Sequence, residues 1–319
     1  MPGEIRHERM RLRRQVRRRG AGGVLVVALA LVVTCMAAVA LTACAGDGDA
    51  PAASASSPTQ DQTLRIALLH LAPRAGDLDH NARLICAAVG EASRRGADWC
   101  VTPELALSGY QFRSRIGLRW IEDLASARVA ALARLARDEG VCLFVGLPTR
   151  DGTGGRLRNS VVVIDKTGEV LGAYHKRDVI PGAVEGWAQP GDRAGVFDLD
   201  GVRAGVLVCA DAWPRRPSRE TADAGADILV SSACWAPGEM GPHGVWERDS
   251  RITGLPLVVC NTTGRGTGGD QRDNASVVDD RGRRLLTFRS PGSKVFLVDW
   301  DRRSGSFASA GSFTPAASR

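Results

Sequence analysis

The chain has 319 residues, a sequence pI near 9.3 and a formal net charge of +7. Eight arginines (Arg6, Arg9, Arg11, Arg13, Arg14, Arg17, Arg18, Arg19) against Glu4 and Glu8 put +6 of that charge in the first twenty residues. The remainder carries about +1, so no basic surface for nucleic acid is expected. With both ends set aside, roughly 240 residues are left, enough for one large core and short of two ordinary domains.

In chain order, residues 1–43 read as an export signal: a basic stretch, an uncharged apolar run from Val24 to Ala43, and LeuThrAlaCys ending at Cys44. The form resembles a bacterial lipoprotein signal, with Cys44 as the lipid-bearing residue. A plain membrane anchor is the alternative, since about 20 apolar residues can span a bilayer. Arg13 and Arg14 form a weak twin-arginine pair. Residues 44–62 are, beyond Cys44, mainly Ala, Ser, Pro, Gly and Asp without an apolar period, as in a flexible tether. The expected product is an extracytoplasmic protein held at the membrane by its N-terminal lipid or anchor.

The domain spans residues 63–302. LeuArgIleAlaLeuLeuHisLeu (64–71) reads as a strand, and 81–94 as an amphipathic helix with Leu84, Ile85, Ala88 and Val89 on one side. A second strand (99–103) ends just before Glu104. A second helix is expected over 121–139, closed by Gly140 and followed by a strand at 141–147. Residues 160–165 and 169–175 form a hairpin that delivers Lys176 at its end. Further strands are expected at 202–209, 226–232, 255–261 and 275–279, and 303–319 reads as a tail poor in large apolar residues. Helices early and strands later point to helices covering a sheet, with at least one more sheet face buried.

Six cysteines fall in the domain. Cys86 sits in a helical pattern, whereas Cys100, Cys142, Cys209, Cys234 and Cys260 lie in or at the ends of apolar runs, where buried thiols are common. Disulfides stay open for an exported chain, but there is no CysXXCys pair to support zinc or a redox motif. His70, His80 and His243 have no ligand spacing, and no metal or cofactor is expected.

Three reactive side chains each sit beside a strand-like run: Glu104 in ThrProGluLeuAlaLeuSerGlyTyr (102–110), Lys176 in TyrHisLysArg (174–177) and Cys209 in ValLeuValCysAlaAspAlaTrpPro (206–214). A thiol with an ordinary pKa near 8.5 and a carboxylate near 4.3 are poorly matched for proton transfer, a gap that costs roughly 6 kcal/mol to cross. Catalysis therefore requires Glu104 to be raised by burial or Cys209 to be lowered by a cation, which Lys176 could supply.

These segments, with GlyAspLeuAspHisAsn (76–81), GlyAlaAsp (96–98), Glu185 before ProGlyAsp (190–192), Asn261 with Gly264, and AlaSerValValAspAspArgGly (275–282), resemble the carbon–nitrogen hydrolases, or nitrilase superfamily, in family order from Leu64 to about Trp300. The resemblance implies a four-layer α-β-β-α sandwich of the α/β class that usually dimerises. It also implies a small-molecule amide substrate and a division of labour: Cys209 attacks the carbonyl carbon, Glu104 moves protons, Lys176 stabilises the oxyanion, and Glu185 orients Lys176 or assists proton transfer. His175 tempts a Cys–His reading, but its family counterpart is not catalytic. Family members often carry an aromatic after the Cys and Glu several positions on, where this chain has Ala210 and Arg215. CysAlaAsp differs from the CysTrpGlu of nitrilases, which favours amides or N-carbamoyl compounds over nitriles. Trp213, Trp235 and Trp246 are candidate pocket walls. The alternatives are a thioester-dependent N-acyltransferase and a non-catalytic binding lipoprotein.

Overall fold

The computed structural model describes residues 62–180, 185–236, 244–266, 269–270 and 275–316. The expected signal, Cys44 and most of the tether lie outside the described residues.

The first half builds one sheet with two covering helices. Strand β1 (Thr63–His70) leads through α1 (Leu78–Arg94) to β2 (Trp99–Val101). The short α2 (Arg113–Ile116) and α3 (Ala127–Glu139) then precede β3 (Cys142–Arg150), β4 (Leu157–Ile164) and β5 (Val170–His175). Local chemistry sets the helix ends: Asp77 accepts from the His80 N–H at 3.1 Å, Ser126 accepts from the Val129 N–H at 3.3 Å, and Gly140 closes α3 at φ 65°. Helix α3 starts later than expected because residues before Ser126 are spent on turns.

The second half repeats the plan with β6 (Gly195–Leu199), β7 (Val202–Val208), α4 (Arg215–Asp223), β8 (Ile228–Ala233), α5 (Val245–Thr253) and β9 (Leu257–Asn261). A two-residue ladder, β10 (Arg265–Gly266) with β11 (Gly269–Asp270), precedes β12 (Ala275–Val278), β13 (Arg284–Phe288), β14 (Lys294–Asp301) and β15 (Ser306–Phe313). Helices α4 and α5 were not expected. Their buried faces carry polar residues, among them Ser218 and Asp249, which satisfy each other at 2.5 Å, so neither helix shows a clear apolar stripe.

The strands form a seven-stranded sheet in the order β15-β14-β1-β2-β3-β4-β5 and a six-stranded sheet in the order β13-β12-β9-β8-β7-β6. Parallel β1-β2-β3 and β7-β8-β9 occupy the two centres, with helical crossovers between them. Ile66 and Leu68 of β1 meet Val206, Val230 and Val258 between the sheets, while Ala67 and Leu69 face Leu84, Ile85 and Val89 of α1. Alternate residues of one strand thus enter two different cores, which explains why β1 reads as nearly continuous apolar sequence. On the far side, the Gly205 position of β7 is crowded by Thr221 and Ala226, placing α4 against the second sheet. The result is the α-β-β-α sandwich that the resemblance implies.

The expected tail needs correction. Residues 306–313 form β15, paired with β14, where Phe307 stacks on Trp300 at 5.9 Å between ring centroids and Phe313 is buried. The partner strand's hydrogen bonds make this strand, because its own Ala, Ser and Gly residues carry little strand preference. All six domain cysteines are thiols, Cys86 exposed and Cys100, Cys142, Cys209 and Cys260 buried, with no disulfide among the described residues.

Candidate active site

Glu104, Lys176 and Cys209 each follow the C-terminal end of a strand, β2, β5 and β7, and these ends share one edge of the sandwich. Loops at that edge are free to carry chemistry because the strands beneath them are fixed by pairing. Glu104 leaves β2 through Pro103 and is followed by Leu105 at φ 51°. Gly146 on β3 makes room for this turn: a Cβ there would lie 2.2 Å from the Pro103 carbonyl oxygen and 2.7 Å from the Leu105 nitrogen. Asn81 steadies the loop from beneath, donating to the Leu107 carbonyl at 3.1 Å.

Lys176 is fully buried and donates to Glu104 Oε1 at 2.7 Å and Glu185 Oε1 at 2.6 Å. Asn159, on β4 beside it, donates to the same two oxygens at 2.7 and 3.1 Å. The Cys234 backbone N–H donates to Glu104 Oε2 at 3.1 Å, and the Ile180 N–H to Glu185 Oε2 at 3.3 Å. Two carboxylates thus share one ammonium, all of them buried. Burial removes the water that would stabilise charge, and one cation cannot offset two anions at this spacing. Glu104 takes the proton: burial, opposed by Lys176 and reinforced by Glu185, raises its pKa to about 8. Glu185 goes the other way, since the Lys176 ammonium and the surrounding donors outweigh the upward push of burial. Burial alone would lower Lys176, but Glu104, Cys209 and Glu185 hold it well above the usual ammonium range.

Cys209 opens a short 3₁₀ turn, Cys209–Ala212, with φ 48°, a left-handed backbone conformation that costs a non-glycine residue about 1–3 kcal/mol. The turn swings the thiol off the end of β7 toward Glu104, Lys176 and Glu185, all of which act on its charge. Burial, then the Glu104 carboxylate, pushes the thiol well above its ordinary pKa, and Lys176 only partly opposes this. Both the carboxylate and the thiol are raised, and the cation does not bring the thiol down.

The other expected residues fall elsewhere. His175 points away from Lys176, with Nδ1 2.8 Å from Ser160 Oγ and Nε2 3.7 Å from Asp151, as alternation along β5 requires. His70 is buried, bonded through Nδ1 to the Asn261 carbonyl oxygen at 2.7 Å and held near pKa 4 by burial, so it is a neutral core residue. His243 lies outside the described residues. Trp235 and Trp246 are buried and stacked edge-on at 5.7 Å, and the half-buried Trp213 packs edge-on against Trp235 at 5.4 Å. No group of metal-ligating side chains occurs among the described residues. Asn159 and the Cys234 N–H were not anticipated. The one available signal was ArgAsnSer (158–160), a polar triplet opening an otherwise apolar strand.

Residues 65–305 match the carbon–nitrogen hydrolase family model, and the chain belongs to that family. Among curated proteins it is 32% identical over 253 residues to a glutamine-dependent NAD(+) synthetase of Xylella fastidiosa, covering 74% of this chain and 43% of that protein. It therefore spans less than half the length of that relative. An (R)-stereoselective amidase of Pseudomonas sp. is 28% identical over 211 residues, covering 65% of this chain and 73% of the amidase. Among solved structures, a variant of the amidase from Nesterenkonia sp. AN1 superimposes with a TM-score of 0.66 at 25% identity, covering 76% of this chain and 93% of that one. That amidase carries the acetamide moiety of fluoroacetamide covalently at its active-site cysteine. Fold, family and amidase neighbours together define a carbon–nitrogen hydrolase.

Proposed function

We propose that this hydrolase cleaves a small amide or N-carbamoyl compound through a thioester on Cys209. The observation that carries the reading is the buried Lys176, 2.7 and 2.6 Å from two carboxylates and acting on the Cys209 thiol. In its ionised form Glu104 takes the thiol proton as sulfur attacks the carbonyl carbon. The developing oxyanion is met by the Lys176 ammonium and backbone N–H groups after Cys209. Glu104 returns the proton to the departing nitrogen, the carbon–nitrogen bond breaks, and ammonia or an amine leaves. A water then gives its proton to Glu104 and attacks the thioester. The acid is released, and the Cys209 sulfur recovers its proton from Glu104. Glu185 stays ionised, holds Lys176 in line, and keeps Glu104 raised above the ordinary carboxylate range.

The preference for amides over nitriles rests on CysAlaAsp at 209–211 and on the amidases among the similar proteins. A screen of the full-length chain for ammonia release from amides, ureido acids, nitriles and glutamine tests it. Replacing Cys209 by Ala is expected to lower turnover of the best substrate by about 10³ or more, and turnover within a few-fold of the parent contradicts the mechanism.

We also propose that the enzyme is a homodimer working outside the cytoplasm, with residues 1–43 removed as a signal, Cys44 lipidated and 45–62 a tether. Leader composition and the LeuThrAlaCys ending support this. Palmitate labelling that disappears in Cys44→Ser is the expected result, and labelling unchanged by that substitution overturns it.

A further inference from the structure

Asp211, two residues beyond Cys209, is completely buried, and among the described residues no cationic side chain is bonded to it. Its carboxylate accepts instead from the Tyr174 hydroxyl at 2.8 Å, the Val208 N–H at 3.0 Å, the Arg177 N–H at 2.9 Å and the Asp178 N–H at 2.7 Å. Tyr174, Arg177 and Asp178 straddle Lys176 at the end of the seven-stranded sheet. Val208 is the last residue of β7, in the six-stranded sheet, immediately before Cys209. One carboxylate therefore ties the backbone around the ammonium to the backbone that launches the thiol.

This tie matters because of what holds the two sheets together. Their contact is apolar, and apolar packing sets spacing without setting direction, so small in-plane displacements cost little. Charge-assisted hydrogen bonds to a buried anion are directional and short, and losing them leaves buried donors without partners. The hydrogen-bonding inventory fits an anion, since two amides beside Lys176 converge on one oxygen and an amide and a hydroxyl on the other. Burial raises the Asp211 pKa, and the Asp178 N–H, the Lys176 charge, the Tyr174 hydroxyl and the Val208 N–H oppose that rise.

We propose that Asp211 is a positioning residue that fixes the Lys176 ammonium relative to the Cys209 thiol across the sheet interface. The proposal rests on Cys209 being the nucleophile, and the test separates the two. It uses iodoacetamide on the full-length chain, with labelling of each cysteine followed by peptide mass mapping to give a maximal rate, kinact, and a half-saturating concentration, KI. Exposed Cys86 serves as the internal reference for reagent and fold.

In Asp211→Asn the carboxamide offers one acceptor oxygen where two were used. Its kinact at Cys209 is expected to fall about tenfold or more, with KI within about threefold and Cys86 labelling unchanged, because geometry at the reacting atoms is lost while access is not. A folded Asp211→Asn protein with parental kinact overturns the proposal. If that variant does not fold, Tyr174→Phe removes one donor and lets the carboxylate turn. Its kinact is then expected to drop by about threefold at constant KI, and an unchanged value overturns the proposal equally. The nucleophile reading fails separately, if Cys209→Ala keeps turnover of the best amide substrate within a few-fold of the parent.

Discussion

Glu104 carries a proton at neutral pH in this structure, and that sets the pH behaviour of the site. Its folded pKa, about 8, lies above the ordinary carboxylate value of 4.5, so the folded state binds the extra proton across that window. Two consequences have opposite signs. Stability contributed by Glu104 falls as pH rises through the window, because the unfolded chain releases the proton earlier. Reactivity of Cys209 rises over the upper part of the same range, because only ionised Glu104 can accept the thiol proton. Alkylation of Cys209 should increase with pH and turn near 8, and Glu104→Gln should abolish that inflection. A parental profile in Glu104→Gln would remove Glu104 from the proton path. Lys176→Ala would leave Glu104 and Glu185 facing each other in a dry site, costing about 3–5 kcal/mol of stability unless both carboxylates are protonated. Thermal melts at pH 5 and pH 8 should show the larger loss at pH 8.

The turn residues at this site differ in how far the sequence marks them. The three reactive side chains stood out because each follows an apolar run that could be recognised as a strand, and strand ends are where side chains can converge. Asn159 was hidden, since a polar residue inside a strand gives no sign of which carboxylates it will meet from a neighbouring loop. The left-handed backbone at Leu105 and Cys209 has no local marker either, as neither residue is Gly or Asn. Gly146 is the exception that can be tested. Gly146→Ala would drive a methyl into the Pro103 carbonyl and displace the Glu104 turn, at a cost on the order of 3 kcal/mol. Calorimetry is expected to register that loss together with slower labelling of Cys209. A melt within a degree of the parent would mean that the turn is not held by this contact.

Over the whole molecule, the sandwich was legible where a segment buries its apolar face by itself. It was not legible where burial depends on a distant partner. Helix α4 is mostly polar, and its Ser218 becomes a core residue only through Asp249 of α5. Strand β15 exists because β14 offers an unpaired edge, so its FASAGSF sequence gave the impression of a tail. Phe313 anchors that strand, buried and in contact with the Arg95 guanidinium at 4.8 Å from the ring centre. Phe313→Ala should therefore cost about 3 kcal/mol, measured by denaturant unfolding, whereas a disordered tail would lose nothing. The extracytoplasmic placement and the dimer are proposals at this scale and stand apart from the chemistry.

In the mechanism proposed here, Cys209 is the thiol that this site activates. Fluoroacetamide tests it most directly, because its carbon–fluorine bond resists ordinary surface thiols and requires an activated one. After incubation of the full-length chain, peptide mapping is expected to find the acetamide moiety on Cys209, with Cys86 unmodified. Modification of Cys86 in preference to Cys209, or no adduct on Cys209, would contradict it.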